Sequence, residues 1–132
     1  EIEKDPKKVY TYAIKSCHFD RKSEGAMWLL REIKNEFTDP SKYFHIEVQG
    51  RMHYIQKGKE QVDKFVAVYG IIAKNTEECL ELIKEFERPE IKRDLEIIDF
   101  EIVGERPGLP KGIYKTSMLI SAGPAKQKAG NK

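Results

Sequence analysis

The chain has 132 residues, of which 39% are hydrophobic and 35% charged. That composition suits one domain with a single core and excludes a collagen-like, coiled-coil or wholly disordered chain. A mean hydropathy of -0.62 and the lack of any long apolar run exclude a membrane-spanning helix. Two cysteines are too few for a disulfide scaffold or a four-thiolate metal site. The charged opening Glu1-Ile2-Glu3-Lys4-Asp5-Pro6 has no apolar stretch behind it, so no secretory leader is expected. A reduced, cytoplasmic protein is predicted.

The charge is uneven. Six basic residues (Arg106, Lys111, Lys115, Lys126, Lys128 and Lys132) and no acidic one lie from 106 to the end. With +2 overall, setting those six aside leaves -4 for the body. A basic, acid-free end on a mildly acidic body suits a polyanionic partner or a solubilising extension.

In chain order, residues 1–8 read as a flexible lead-in. Val9 to Phe19 is rich in β-branched and aromatic residues and has no Gly or Pro, which predicts a first strand. Asp20-Arg21-Lys22-Ser23 supplies a turn with helix-capping side chains. A helix is expected from there to about Phe37, burying Ala26, Leu29, Leu30, Ile33 and Phe37 at helical spacing. Pro40 bars its continuation.

From Tyr43 to Gln56 the apolar residues Phe44, Ile46, Val48, Met52 and Tyr54 share one parity, and His45, Glu47, Gln49, Arg51 and His53 share the other. This predicts a strand with one wet face. Lys57-Gly58-Lys59-Glu60 signals a turn, and the unbroken apolar run Phe65–Ala73 predicts an interior strand. Asn75, followed three residues later by Glu78, predicts a capped helix burying Cys79, Leu82, Ile83 and Phe86 and ending at Glu87-Arg88-Pro89. A strand over 95–103 and an additional C-terminal strand over 113–120 complete the expected domain, 9–120. Residues 121–132 read as a basic, disordered tail.

The expected order βαββαβ is the ferredoxin-like α+β sandwich: an antiparallel sheet with two helices on one face. In it the Tyr43–Gln56 strand would be an edge and the Phe65–Ala73 strand central.

No catalytic constellation emerges. His45 and His53 share a face but lie roughly 26 Å apart along a strand, so they cannot share a metal, and no cofactor or metal is expected. Cys17 and His18 are adjacent and would point to opposite faces of a strand. Acylphosphatases are similar in fold and use an Arg in the first loop with an Asn, types that Arg21 and Asn75 supply. The glycine-rich phosphate loop is missing from Phe19-Asp20-Arg21-Lys22-Ser23.

The most suggestive feature is the open sheet face. Tyr10, Tyr12 and Tyr43 would stack bases. His45, Arg51 and His53 would line the same face and contact phosphate, and Lys57 and Lys59 would add charge at the hairpin tip. The expected function is a non-catalytic binding module for single-stranded nucleic acid, RNA or DNA. The alternatives are an assembly subunit that forms a homodimer or protein complex through the same face, and a small-ligand-binding or acylphosphatase-like enzyme.

Overall fold

The computed structural model describes residues 6–92 and 94–124. The chain opens with a helix, α1, over Pro6–Phe19, where a strand was expected. Ala13 and Cys17 are buried, and Val9, Tyr10, Ile14 and His18 half-buried, on one helical stripe. Thr11, Tyr12, Lys15 and Phe19 are exposed on the other side. A strand would have put Lys15 and Thr11 on the same face as Ala13 and Cys17. The packing of this stripe outweighs the strand preference of Val9, Tyr10 and Tyr12. Pro6 stands in the first turn, where its missing N–H costs nothing, so 6–8 are helix and not lead-in.

The second helix, α2, covers Glu24–Lys34. Ser23 caps it by accepting from the Ala26 N–H, as the turn chemistry predicts. It stops short of Phe37 because Asn35 turns left-handed and donates its N–H to the Arg31 carbonyl. Phe37 is therefore exposed, not buried.

Two long antiparallel strands follow, β1 (Lys42–Gln56) and β2 (Lys59–Ala73). Lys57 and Gly58 join them, both with positive φ (53° and 75°), the two-residue turn whose twist suits a hairpin. The register pairs Phe44 with Ile71, Ile46 with Tyr69 and Val48 with Ala67. All six are buried, so the predicted apolar parity is the core face. Gly50 sits under Phe65 and Leu95, where a side chain would collide with the Phe65 ring.

The third helix, α3 (Thr76–Phe86), starts at the expected cap: Asn75 accepts from the Glu78 N–H, and Glu78 accepts from the Lys74 N–H. Cys79, Leu82, Ile83 and Phe86 are its buried face. A single turn, α4 (Pro89–Lys92), leads into β3 (Glu96–Glu105), β4 (Gly112–Thr116) and β5 (Ile120–Pro124). The expected strand over 113–120 is thus two short strands, and 121–124 belongs to β5. The remainder of the expected tail, 125–132, lies outside the described residues.

The sheet order is β3-β1-β2-β4, with β5 pairing β2 further along the same edge. The Tyr43–Gln56 strand is therefore interior and β3 is the edge. With helix in place of the first strand, the molecule is an α+β fold with a strongly curled, half-barrel antiparallel sheet, not a ferredoxin-like sandwich. Bulges in the β1–β3, β2–β4 and β2–β5 pairings increase the local twist and help the long strands curl. Among the described residues no helix is long and apolar enough to cross a membrane.

Candidate anion-binding cleft

The residues expected to act together are scattered. Tyr10 lies on α1 and donates to Glu85 Oε2 of α3 at 2.5 Å, and Tyr12 is on the solvent side of the same helix. His45 is exposed on the convex sheet face between Gly70 and Glu101. Arg51 stands opposite Lys64, and His53 lies within hydrogen-bond reach of Asp94 (2.7 Å) and Glu60 (3.3 Å). Lys57 and Lys59 flank the hairpin turn, exposed. The middle of the convex face carries Glu47, Glu96, Asp99 and Glu101 beside His45 and Gln49, so it is not a continuous basic track.

Tyr43 is the exception. It lines a cleft of about 300 Å³ with Arg31, Arg106, Tyr114 and Lys115, bordered by Ile72, Leu109 and Glu24. Four elements and one loop build it. The stem of Arg31 crosses Gly112, whose φ of 144° and bare Cα leave it room. Its Nη1 donates to the Ile113 carbonyl at 2.7 Å, and its guanidinium lies 3.6 Å from the centre of the Tyr114 ring. Tyr114 is held by donating to the Pro110 carbonyl at 2.6 Å. The Tyr43 and Tyr114 rings meet edge to face, 6.5 Å apart.

On the other wall, Arg106 sits 5.6 Å over the Tyr43 ring. Its backbone is tied to Ser41 in both directions: Arg106 N–H donates to the Ser41 carbonyl at 2.8 Å, and the Ser41 hydroxyl donates to the Arg106 carbonyl at 3.0 Å. The Tyr43 hydroxyl lies over Gly70, a place any side chain at 70 would fill.

The electrostatics are lopsided. Among the described residues, no carboxylate forms an ion pair with Arg31, Arg106 or Lys115, and Glu24 is the one acid on the cleft wall. Burial pulls the Arg31 guanidinium below its ordinary range, with Tyr114, Glu32 and Glu24 opposing. Burial pushes the Tyr43 phenol up, against the pull of Arg106 and Arg31. An anion entering the cleft would replace the solvation that burial takes from Arg31, and a planar group would have tyrosine faces and edges to meet.

Four of these five residues were not among the expected site. Arg106 and Lys115 carry a visible signal, since they belong to the acid-free C-terminal segment. Arg31 and Tyr114 carry none: one reads as the polar side of a helix and the other as a strand aromatic.

A second cavity, about 250 Å³, is lined by Cys17, His18, Arg21, Glu87 and Met118. Its chemistry is already satisfied. Arg21 grips Glu87 with two bonds of 2.7 Å and donates to the Ser117 carbonyl at 2.8 Å. The Tyr69 hydroxyl donates to Glu87 Oε2. Burial pushes the Cys17 thiol up to about 11, away from nucleophilic use at neutral pH. Arg21 is thus occupied, and Asn75 is a helix cap, so neither holds the place a phosphate-cradling pair would need. Among the described residues no group of three or more His, Cys, Asp and Glu side chains could hold a metal ion. Comparison with family models, curated proteins and solved structures finds no match to this chain.

Proposed function

We propose that the protein is a non-catalytic binding module for single-stranded nucleic acid, which it takes through the Arg31–Tyr43–Arg106–Tyr114–Lys115 cleft. The observation that carries this reading is the pair of guanidinium groups, each laid on a tyrosine ring and, among the described residues, neither in a salt bridge with a carboxylate. Phosphate oxygens suit the cations, and bases suit the tyrosines. The contact shifts from the middle of the sheet, where the four acids would repel phosphate, to its corner. Two free, buried thiols agree with a reducing, cytoplasmic setting.

The test is fluorescence anisotropy with a labelled, mixed-sequence single-stranded RNA over a range of salt. Arg106→Ala with Lys115→Ala changes two exposed side chains and should leave the circular dichroism spectrum intact. Binding should weaken across sequences, and the salt slope should fall by about 1.4, at about 0.7 per lost phosphate contact. A parallel triple variant, Arg51→Ala with Lys57→Ala and Lys59→Ala, should bind as the wild type does. Loss in the triple variant alone would move the contact to the hairpin tip. The absence of binding by the wild type at low salt would end the nucleic-acid reading.

A further inference from the structure

We propose that the free edge of β3 docks an extended segment of a partner protein in which basic and apolar residues alternate, adding a strand to the sheet. This surface is independent of the cleft and does not rest on the nucleic-acid reading.

The edge is open by topology. β3 pairs with β1 on one side, and among the described residues no strand lies on the other. Its outward backbone groups are a template for another chain, with the Phe100 N–H donating to the Asp99 carboxylate at 2.9 Å. Bulges interrupt the pairing near both ends, at Ile98 and Val103, and between them Asp99-Phe100-Glu101-Ile102 runs in regular register with β1.

The two faces of that stretch differ. Phe100 lies opposite Ile46, and Ile102 opposite Phe44, on the concave core face. Ile46 and Phe44 are 1% and 2% exposed, whereas Phe100 and Ile102 are 50% and 47% exposed. The apolar lining of the half-barrel therefore continues past its helical cover and stops at an open edge. Asp99 and Glu101 pair with Glu47 and His45 on the convex face. No Lys or Arg among the described residues forms an ion pair with Asp99, Glu101 or Glu105.

These features together choose the occupant. Edge pairing of two copies of this chain would bring two acid-rich strands together, and like charges set across a pair of strands repel. A strand with Lys or Arg facing Asp99 and Glu101, and apolar side chains beside Phe100 and Ile102, satisfies charge, burial and backbone at once.

The experiment uses the full chain and two short, acetylated, labelled peptides, one alternating Lys with Val and the other Glu with Val. The wild type should bind the Lys peptide about tenfold or more tightly than the Glu peptide. Asp99→Lys with Glu101→Lys should reverse that order. Hydrogen exchange on the wild type provides a second readout that does not depend on how the variant folds: the Lys peptide should slow exchange of the 99–102 amides. Equal binding of both peptides, or protection confined to other elements, would overturn the proposal. A peptide-free dimer by light scattering, with the same amides protected, would also overturn it by assigning the edge to a second copy.

Discussion

Among the described residues, Arg21 makes four side-chain hydrogen bonds. It sits in the turn between α1 and α2, 12% exposed, and its partner Glu87, at the end of α3, is 2% exposed. It also lies against the Tyr69 and Phe86 rings, 5.9 and 5.7 Å from their centres. One residue thus ties two helical segments, β2 and the β4–β5 link, and each of its three side-chain nitrogens donates to an acceptor. Burial and Glu87 together hold the Tyr69 phenol above its ordinary range, so it remains a donor to the carboxylate. Removing one half of such a pair leaves the other buried and unpaired. Glu87→Ala should cost about 3–5 kcal/mol in urea denaturation. Arg21→Met combined with Glu87→Leu should cost clearly less than the two single changes added together. An additive result would show that the residues act separately. None of this was legible in the sequence, where Arg21 reads as one of several turn cations and Glu87 as a helix terminator. Their meeting depends on α1 being a helix.

At the scale of elements, the local signals that worked were those with a short physical range. Ser23 and Asn75 cap because their side chains reach an N–H three residues away, and Lys57-Gly58 turns because glycine tolerates positive φ. These need no knowledge of the rest of the chain. Glu78 adds a pH dependence to the α3 cap. Burial alone would raise its carboxyl, but the Lys74 N–H and the Lys111 ammonium, 3.0 Å away, hold it below its ordinary 4.5. A carboxyl with a depressed folded value contributes stability above its unfolded value and loses it as pH falls through the folded one. Stability should therefore drop on acidification below about 4.5. Glu78→Gln should flatten part of that limb while costing about 1 kcal/mol at neutral pH. Urea midpoints taken across a pH series decide the point, and an unchanged acid limb would remove Glu78 from it.

The misread element, α1, shows the limit of composition. Val9, Tyr10, Thr11, Tyr12 and Ile14 have strand preferences, but Val9, Ala13 and Cys17 recur every fourth residue, as do Tyr10, Ile14 and His18. The helical spacing and the abundance of β-branched and aromatic residues pull in opposite directions over this stretch. What decides it is a place to bury the stripe. Tyr10 reaches Glu85, and His18 Nε2 donates to the Phe86 carbonyl at 3.0 Å, so α3, together with α2 against which α1 packs, supplies that place.

For the molecule as a whole, the two thiols report on how these parts hold together. Cys17 faces the core from α1 and Cys79 from α3, and both are buried in one cluster with the sheet residues Phe44, Ile46 and Tyr69. Burial raises them to about 11 and about 12. At neutral pH both should resist an aromatic disulfide reagent in the native state and react at one common rate as denaturant opens the core. Earlier labelling of Cys17 alone would mean that α1 lifts off while the sheet and α3 stay folded.

The sequence by itself determined α2 and α3 with their starting caps, the long hairpin, its turn, and which face of β1 is buried. Each follows from contacts within a few residues or from a periodicity that one strand or helix carries alone. The tertiary structure decided the state of Val9–Phe19, the strand order, the curl and the cleft. Those depend on which surfaces meet. Arg31, Tyr43, Arg106 and Tyr114 come from separate stretches of chain, and only the sheet's long-range pairing brings two guanidinium groups onto two tyrosine rings at one corner.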